Sequence, residues 1–136
     1  TFLACKYILP LLKKSNKSSI INLASINSIR GVKNMLAYAT SKSAIVSFTA
    51  SLALDLSKHN IRVNAVAPGA IDTPMLASFK KDLTLKEYQK RMRDNHPIGR
   101  IGKPEEVASV IYFLASEASS FMTGLTIPVD GGRSIR

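Results

Sequence analysis

A chain of 136 residues, 46% hydrophobic and 21% charged, has the make-up of one globular domain around one core, and no stretch is apolar for long enough to span a bilayer. Nineteen basic and nine acidic side chains leave a formal charge of +10. The cations are nevertheless scattered, with Lys13, Lys14 and Lys17 at one helix end and Lys80 to Arg93 mixed with Asp82, Glu87 and Asp94. No aromatic residues interleave as a stacking platform requires, so neither nucleic acid nor membrane is expected as a partner.

The single cysteine, Cys5, cannot close an internal disulfide and lies in an apolar helical stretch. It reads as a buried structural thiol in a reducing compartment, the cytoplasm. Thr1-Phe2-Leu3 begins in mid-helix pattern with no basic leader. The expectation is therefore a chain whose beginning lies upstream, and no signal peptide.

Residues 2–14 read as the later part of an amphipathic helix, with Lys13 and Lys14 at its C-terminal end and Pro10 as a source of a kink. A turn over 15–18 leads to the apolar run Ser19 to Ser25, the pattern of a strand buried on both faces. A loop from Ile26 to Met35, containing Gly31, delivers the chain to a helix that opens at Tyr38 and ends near Ser57. Ile45, Phe48, Leu52 and Leu56 give this helix a core stripe, and Ala44, Ala50, Ser51 and Ala53 make its other faces small. Two readings of the small faces stay open, core packing and a subunit interface.

Ile61 to Ala67 is a second β-rich run, stopped by Pro68-Gly69. Strand, helix and strand with short links predict a right-handed parallel crossover, hence an α/β fold. Asp72-Thr73-Pro74 opens another helix, and residues 75–95 form a polar, basic helical excursion of the kind that lids a binding site. After a loop over 96–102, Lys103-Pro104-Glu105-Glu106 starts a helix with Val107, Ile111, Leu114 and Ala118 as its buried stripe. Gly124 to Val129 is a final strand, closed by Asp130-Gly131-Gly132.

Tyr38 and Lys42 are four residues apart, so a helix stacks them on one face. A phenol titrates at about 10, and a neighbouring ammonium favours its ionised form, which makes the pair a candidate acid-base group. Open parallel sheets bind ligands beyond the carboxyl ends of their strands, where Ser25 and Pro68-Gly69 are expected. His59 and His96 form neither a base nor a metal pair, and no zinc-ligand spacing occurs.

Ser25, thirteen residues before Tyr38, then Lys42, RVNAVAPG at 62–69, DTP at 72–74, HPIGRIGKPEEVA at 96–108 and the closing VDGG together resemble the short-chain dehydrogenase/reductase family. The resemblance covers essentially the whole chain and implies the C-terminal half of a Rossmann-type, doubly wound parallel sheet, about three strands with flanking helices. The family's glycine-rich dinucleotide turn, its Asn-Asn-Ala-Gly strand end and its catalytic helix asparagine would lie upstream. No G-x-G-x-x-G occurs here.

The resemblance further implies an oxidoreductase that moves hydride between a nicotinamide and a small secondary alcohol or ketone. Tyr38 would be its acid-base, Lys42 would lower the tyrosine's pKa and hold the ribose hydroxyls, and Ser25 would bond the substrate oxygen. Pro68 and Gly69 would pass close to the nicotinamide, with the Ile71 amide and Thr73 on its carboxamide. Ile26, Asn27, Met35, Ala70, Met75, Leu76 and Phe79 would wall the substrate pocket. NAD and NADP are not distinguished, because the discriminating residue of the family lies upstream. A homo-oligomer is implied, dimer or tetramer, with contacts through the Tyr38 and Val107 helices. The competing expectation is a truncated, non-catalytic relative serving as an oligomerisation or binding module, since the apolar strand Ile20 to Leu23 would have an unpaired edge.

Overall fold

The computed structural model describes residues 1–15, 17–78 and 83–136. In chain order the main elements are α1 (Phe2–Leu12), β1 (Ser18–Leu23), α2 (Leu36–Leu56), β2 (Ile61–Pro68), α3 (Pro74–Ser78), α4 (Leu85–Asp94), α5 (Pro104–Ala115) and β3 (Thr126–Val129). The strands form one three-stranded sheet in the order β1-β2-β3. Both pairings are parallel, with Ser18 opposite Ile61, Leu23 opposite Val66, Ala65 opposite Thr126 and Pro68 opposite Val129.

Side chains alternate across a strand, and β2 uses both faces. Val63 packs with Ala53 and Leu56 of α2 and with Leu9 and Leu12 of α1. Ala65 and Ala67 lie on Ala24, Ile45 and Val46. Val66 points the other way, into Val107 and Leu114 of α5. Helices therefore cover both sides of the sheet, and the centre of β2, Val63 to Ala67, is wholly buried. An edge-on contact between Phe2 and Phe48, ring centroids 5.8 Å apart, ties α1 to α2.

Buried polar groups in this core are paired, as burial demands. Asn64 donates to the Met122 carbonyl at 2.8 Å and accepts from the Leu125 amide at 3.1 Å. Asn22 donates to Thr49 Oγ1 at 2.9 Å. Arg62 reaches across β2 to the end of α5, donating to the carbonyls of Leu114 and Ser116 and to Ser119 Oγ at 2.8–3.0 Å. The same two carbonyls at the helix end also accept from Ser119 Oγ, and Leu114 from Ser19 Oγ at 3.0 Å, so the helix end is closed by several donors.

The structure departs from the sequence reading in several places. β1 is not buried on both faces: Ile20 and Ile21 are half-buried and Leu23 is 52% exposed. An apolar run reports that a strand meets a core but not how many neighbours it has, and β1 pairs with β2 alone among the described residues. α2 starts at Leu36, before Tyr38, and its deepest residues are Thr49, Ala53 and Leu56, while Ile45, Phe48 and Leu52 are half-buried. Ile45 and Val46 are what pack on the alanines of β2, while of the small residues only Ala53 is buried, against Val63, and Ala44, Ala50 and Ser51 are exposed.

The excursion over 75–95 contains two helices, α3 and α4, and residues 79–82 lie outside the described residues. Thr84 starts α4 afresh with a capping box: its Oγ1 accepts from the Glu87 amide at 3.3 Å, and Glu87 accepts from the Thr84 amide at 2.9 Å. Ala118 lies past the end of α5 in a 3-10 turn and is exposed, so the stripe stops at Leu114. β3 begins at Thr126, because Gly124 takes φ +75°, a left-handed conformation outside the strand region.

Candidate active site at the carboxyl edge of the sheet

β1 hands over to the site through Ala24, whose amide still bonds the Val66 carbonyl at 2.9 Å. Ser25 is extended and its Oγ accepts from the Asn27 amide at 3.2 Å, capping a 3-10 turn over Ile26–Ser28. That bond uses a lone pair of the hydroxyl and leaves its proton to donate elsewhere. The Ser28 hydroxyl donates back to the Ser25 carbonyl, and Ser43 Oγ of α2 donates to the Ser28 carbonyl at 3.0 Å. The turn is thus clamped between the strand end and the helix.

α2 brings the other two groups. Lys42 Nζ donates to the Leu23 carbonyl at 2.9 Å and stands 5.9 Å from the centroid of the Tyr38 ring. The ammonium is therefore anchored at the last residue of β1, one helical turn from the phenol and two residues before Ser25. Tyr38 and Lys42 share α2 while Ser25 follows β1, and the bond from Lys42 to Leu23 holds the start of α2 against the end of that strand.

A second wall comes from the chain after β2. The Gly69 amide bonds the Val129 carbonyl at 3.0 Å, and Ala70 donates its amide to His96 Nε2 at 3.1 Å. Ile71 bridges to Gly102, with Gly102 N to Ala70 O and Asp72 N to Gly102 O both at 2.9 Å. The Ile71 amide between them bonds no other described residue. A Cβ at Gly69 would stand 2.8 Å from His96 Nε2 and 2.9 Å from Asp130 Cα, so only glycine allows this approach. Thr73 Oγ1 donates to the Ile71 carbonyl and accepts from the Leu76 amide, both at 3.4 Å.

The residues expected to wall one pocket are distributed. Ala70 lines a cavity of about 90 Å³ with His96, Asp130 and Gly131, beside Ile71 of the expected cofactor set. Leu76 lines another of about 310 Å³ with Leu85, Tyr88 and Gln89, beside Thr73 of the expected cofactor set. Asn27 Nδ2 lies 3.7 Å from Met35 Sδ, Ile26 is buried, and Met75 is exposed. Phe79 lies outside the described residues.

His96 is the residue whose part the sequence reading missed. It is buried; its Nδ1 meets the Met92 carbonyl and its Nε2 accepts from Ala70. These partners assign the neutral ring with its proton on Nδ1. Burial pushes its pKa below the ordinary 6.5. The available signal was position: a histidine one residue before Pro97 in the loop that must meet the end of β2.

Glu106 marks a second titrating brace. It accepts both Arg100 guanidinium nitrogens at 2.6–2.8 Å and the Lys103 amide at 2.7 Å. The Arg100 hydrogen bonds lead in holding its carboxyl down at about 2, against an ordinary 4.5. Both groups bind protons less readily folded than unfolded, so each contribution is present above the unfolded value and lost on the acid side. Denaturant midpoints should fall in two stages, from about pH 6.5 downward for His96 and from 4.5 towards about 2 for Glu106. His96→Gln, which keeps an acceptor for Ala70 but does not titrate, should remove the first stage; its persistence would assign that stage elsewhere. His59, lowered by burial and then by Lys13 and Lys58, shifts in the same direction, and His59→Gln is the control.

Among the described residues no group of acidic, histidine or cysteine side chains could hold a metal ion, and no helix is long and apolar enough to cross a membrane. A parallel sheet sandwiched by helices, with its polar groups gathered beyond the carboxyl ends of the strands, defines a Rossmann-like α/β protein. Comparison with known proteins narrows the class. A family model described as enoyl-(acyl carrier protein) reductase matches residues 1–134. The 3-oxoacyl-[acyl-carrier-protein] reductase of Thermotoga maritima is 41% identical over 131 residues, 96% of this chain and 51% of that protein.

Among solved structures, ligand-free aldohexose dehydrogenase from Thermoplasma acidophilum superposes with a TM-score of 0.93 at 40% identity, covering 99% of this chain and 55% of that one. The 3-ketoacyl-(acyl-carrier-protein) reductase of Brucella melitensis, complexed with NADH, gives 0.88 at 34% identity over 98% of this chain and 52% of that one. The chain belongs to the short-chain dehydrogenase/reductase family. It spans about half the length of the curated relatives it matches.

Proposed function

We propose that this chain is the catalytic and substrate-binding half of an NAD(P)-dependent oxidoreductase acting on a small secondary alcohol or ketone in the cytoplasm, with the glycine-rich cofactor half upstream. The observation that carries this reading is the position of Lys42, whose ammonium is pinned to the end of β1 beside Tyr38 and next to the Ser25 turn. Tyr38 takes the proton of the alcohol in oxidation and returns it to the carbonyl oxygen in reduction. Ser25 donates its hydroxyl proton to the same substrate oxygen, where charge develops. Lys42 serves the phenol and the ribose hydroxyls of the nucleotide.

The residues present suit the nicotinamide end of such a cofactor. Gly69 keeps the strand end free of a side chain, and the unbonded Ile71 amide can receive the carboxamide oxygen, with Thr73 beside it. When bound, the nicotinamide supplies or accepts the hydride. The NADH complex of the Brucella relative supports a nicotinamide dinucleotide as the cofactor class. Exposed apolar side chains on α2 and α5, Leu54 and Tyr112, each 78% exposed, support a homo-oligomer built through those helices.

The reading is tested on the full-length protein with a panel of sugars, polyols, steroid alcohols and 3-oxoacyl thioesters against each nucleotide. At least one pair should show nucleotide oxidation or reduction in step with substrate. Nucleotide binding without turnover of any of them would leave the non-catalytic module as the better account.

A further inference from the structure

We infer that Arg133 and Arg30 form a receptor for an anionic group, a carboxylate or phosphate, carried by the substrate. The inference rests on the oxidoreductase reading of the same rim and adds to it a class of substrate: a hydroxy or oxo compound with an acidic end.

Arg30 lies in the loop that leaves the Ser25 turn, beyond the carboxyl end of β1. Arg133 opens a 3-10 turn just past β3 and its Asp130-Gly131-Gly132 corner. The two loops touch, since Arg30 Nη1 donates to the Arg133 carbonyl at 2.6 Å. Two cations held together ordinarily recruit a carboxylate. The ion pairs among the described residues are Lys17–Glu117 and Arg100–Glu106, and neither includes them.

The adjacent acid, Asp130, favours the Arg133 cation through its charge, but its oxygens bond elsewhere. Asp130 accepts the Gly132 amide on Oδ1 at 3.1 Å and the Ser134 amide on Oδ2 at 2.6 Å. Arg133 Nε is buried and has no hydrogen-bond partner among the described residues. A buried guanidinium N–H without an acceptor is costly, and a carboxylate or phosphate drawn to the arginine pair would offset that cost through the guanidinium charge. Burial, then the charge of Arg30, pulls the Arg133 pKa down, the strain an incoming anion would relieve.

Tyr88 of α4 connects this site to a cavity. Its half-buried phenol interacts electrostatically with Arg133, and its ring lines the space of about 310 Å³ between α3 and α4. A substrate seated there would extend its anion towards the arginines while the remainder lies along the edge that carries Ser25 and Tyr38.

The test uses the purified protein with malonate and inorganic phosphate as probes, malonamide as the uncharged counterpart, and ionic strength held constant with chloride. Thermal unfolding should shift upward saturably with malonate, with phosphate, or with both, and not with malonamide; the two anions separate a carboxylate site from a phosphate site. Arg30→Gln and Arg133→Lys should each weaken the response by about tenfold or more, given what a charged hydrogen bond contributes. Arg133→Lys keeps the charge should Arg133→Gln fail to fold, and Lys14→Gln, which alters only net charge, should respond like the parent. Saturable stabilisation that is equal in all variants, or absent from the parent, overturns the inference. Binding is read without nucleotide or turnover, so loss of the oxidoreductase reading would not by itself remove the anion site.

Discussion

Tyr38→Phe in the full-length protein is expected to lower turnover by about 10²–10⁴-fold, the range contributed by a positioned acid-base group, while nucleotide affinity stays nearly constant. The substitution removes one oxygen and keeps the ring, so the contact that sets Lys42 Nζ 5.9 Å from the ring centroid survives. Lys42 also keeps its bond to the Leu23 carbonyl. A steady-state measurement that separates kcat from KM, with nucleotide binding followed directly, distinguishes lost chemistry from lost structure. Unchanged turnover would take the acid-base role away from Tyr38.

Gly69→Ala should be the most damaging single methyl in this part of the fold. The added carbon meets His96 Nε2 at 2.8 Å and Asp130 Cα at 2.9 Å, and the second of these is backbone that cannot swing aside. Forcing the gap open disturbs the bonds from Gly69 to Val129 and from Ala70 to His96. Overpacking of this kind costs about 1–3 kcal/mol, read as a lower denaturant midpoint at unchanged slope. KM for the nucleotide should rise as well, because the Ile71 amide follows directly in the displaced segment. A variant as stable as the parent would show that the two loops yield more easily than their contacts suggest.

What sequence made legible was whatever a local pattern encodes. Tyr38 and Lys42 could be placed on one helical face from spacing alone, and Pro68-Gly69 marked the end of β2. The order of elements followed from alternating strand and helix patterns, and all three strands pair in parallel. Motif spacing carried the family resemblance, which the comparisons bear out. The misses concern quantities that depend on neighbours. The unpaired edge of β1 was foreseeable, but its apolar run overstates its burial, because Ile20 and Ile21 cannot report how far their faces are covered.

The same limit applies at the rim. His96 was set aside because its partners, the Ala70 amide and the Met92 carbonyl, lie on a different loop and a preceding helix. Arg30 and Arg133 are far apart in the chain, and nothing local joins them before the loops meet. Ala70 and Leu76 likewise border different cavities, a separation that their common place after β2 does not encode.

The alanines of β2 have a bearing on the reaction that their size conceals. Ala65 and Ala67 provide the seat on which Ile45 and Val46 of α2 rest, and the same helix carries Tyr38 and Lys42 within the two turns before that contact. A methyl group is the shortest spacer a side chain can offer, so the helix axis lies as near the sheet as it can. Any bulkier residue at either position acts as a shim that lifts Ile45 and Val46 and displaces the neighbouring phenol and ammonium with them. The reach of the acid-base pair is thereby gauged by two of the least reactive side chains in the protein.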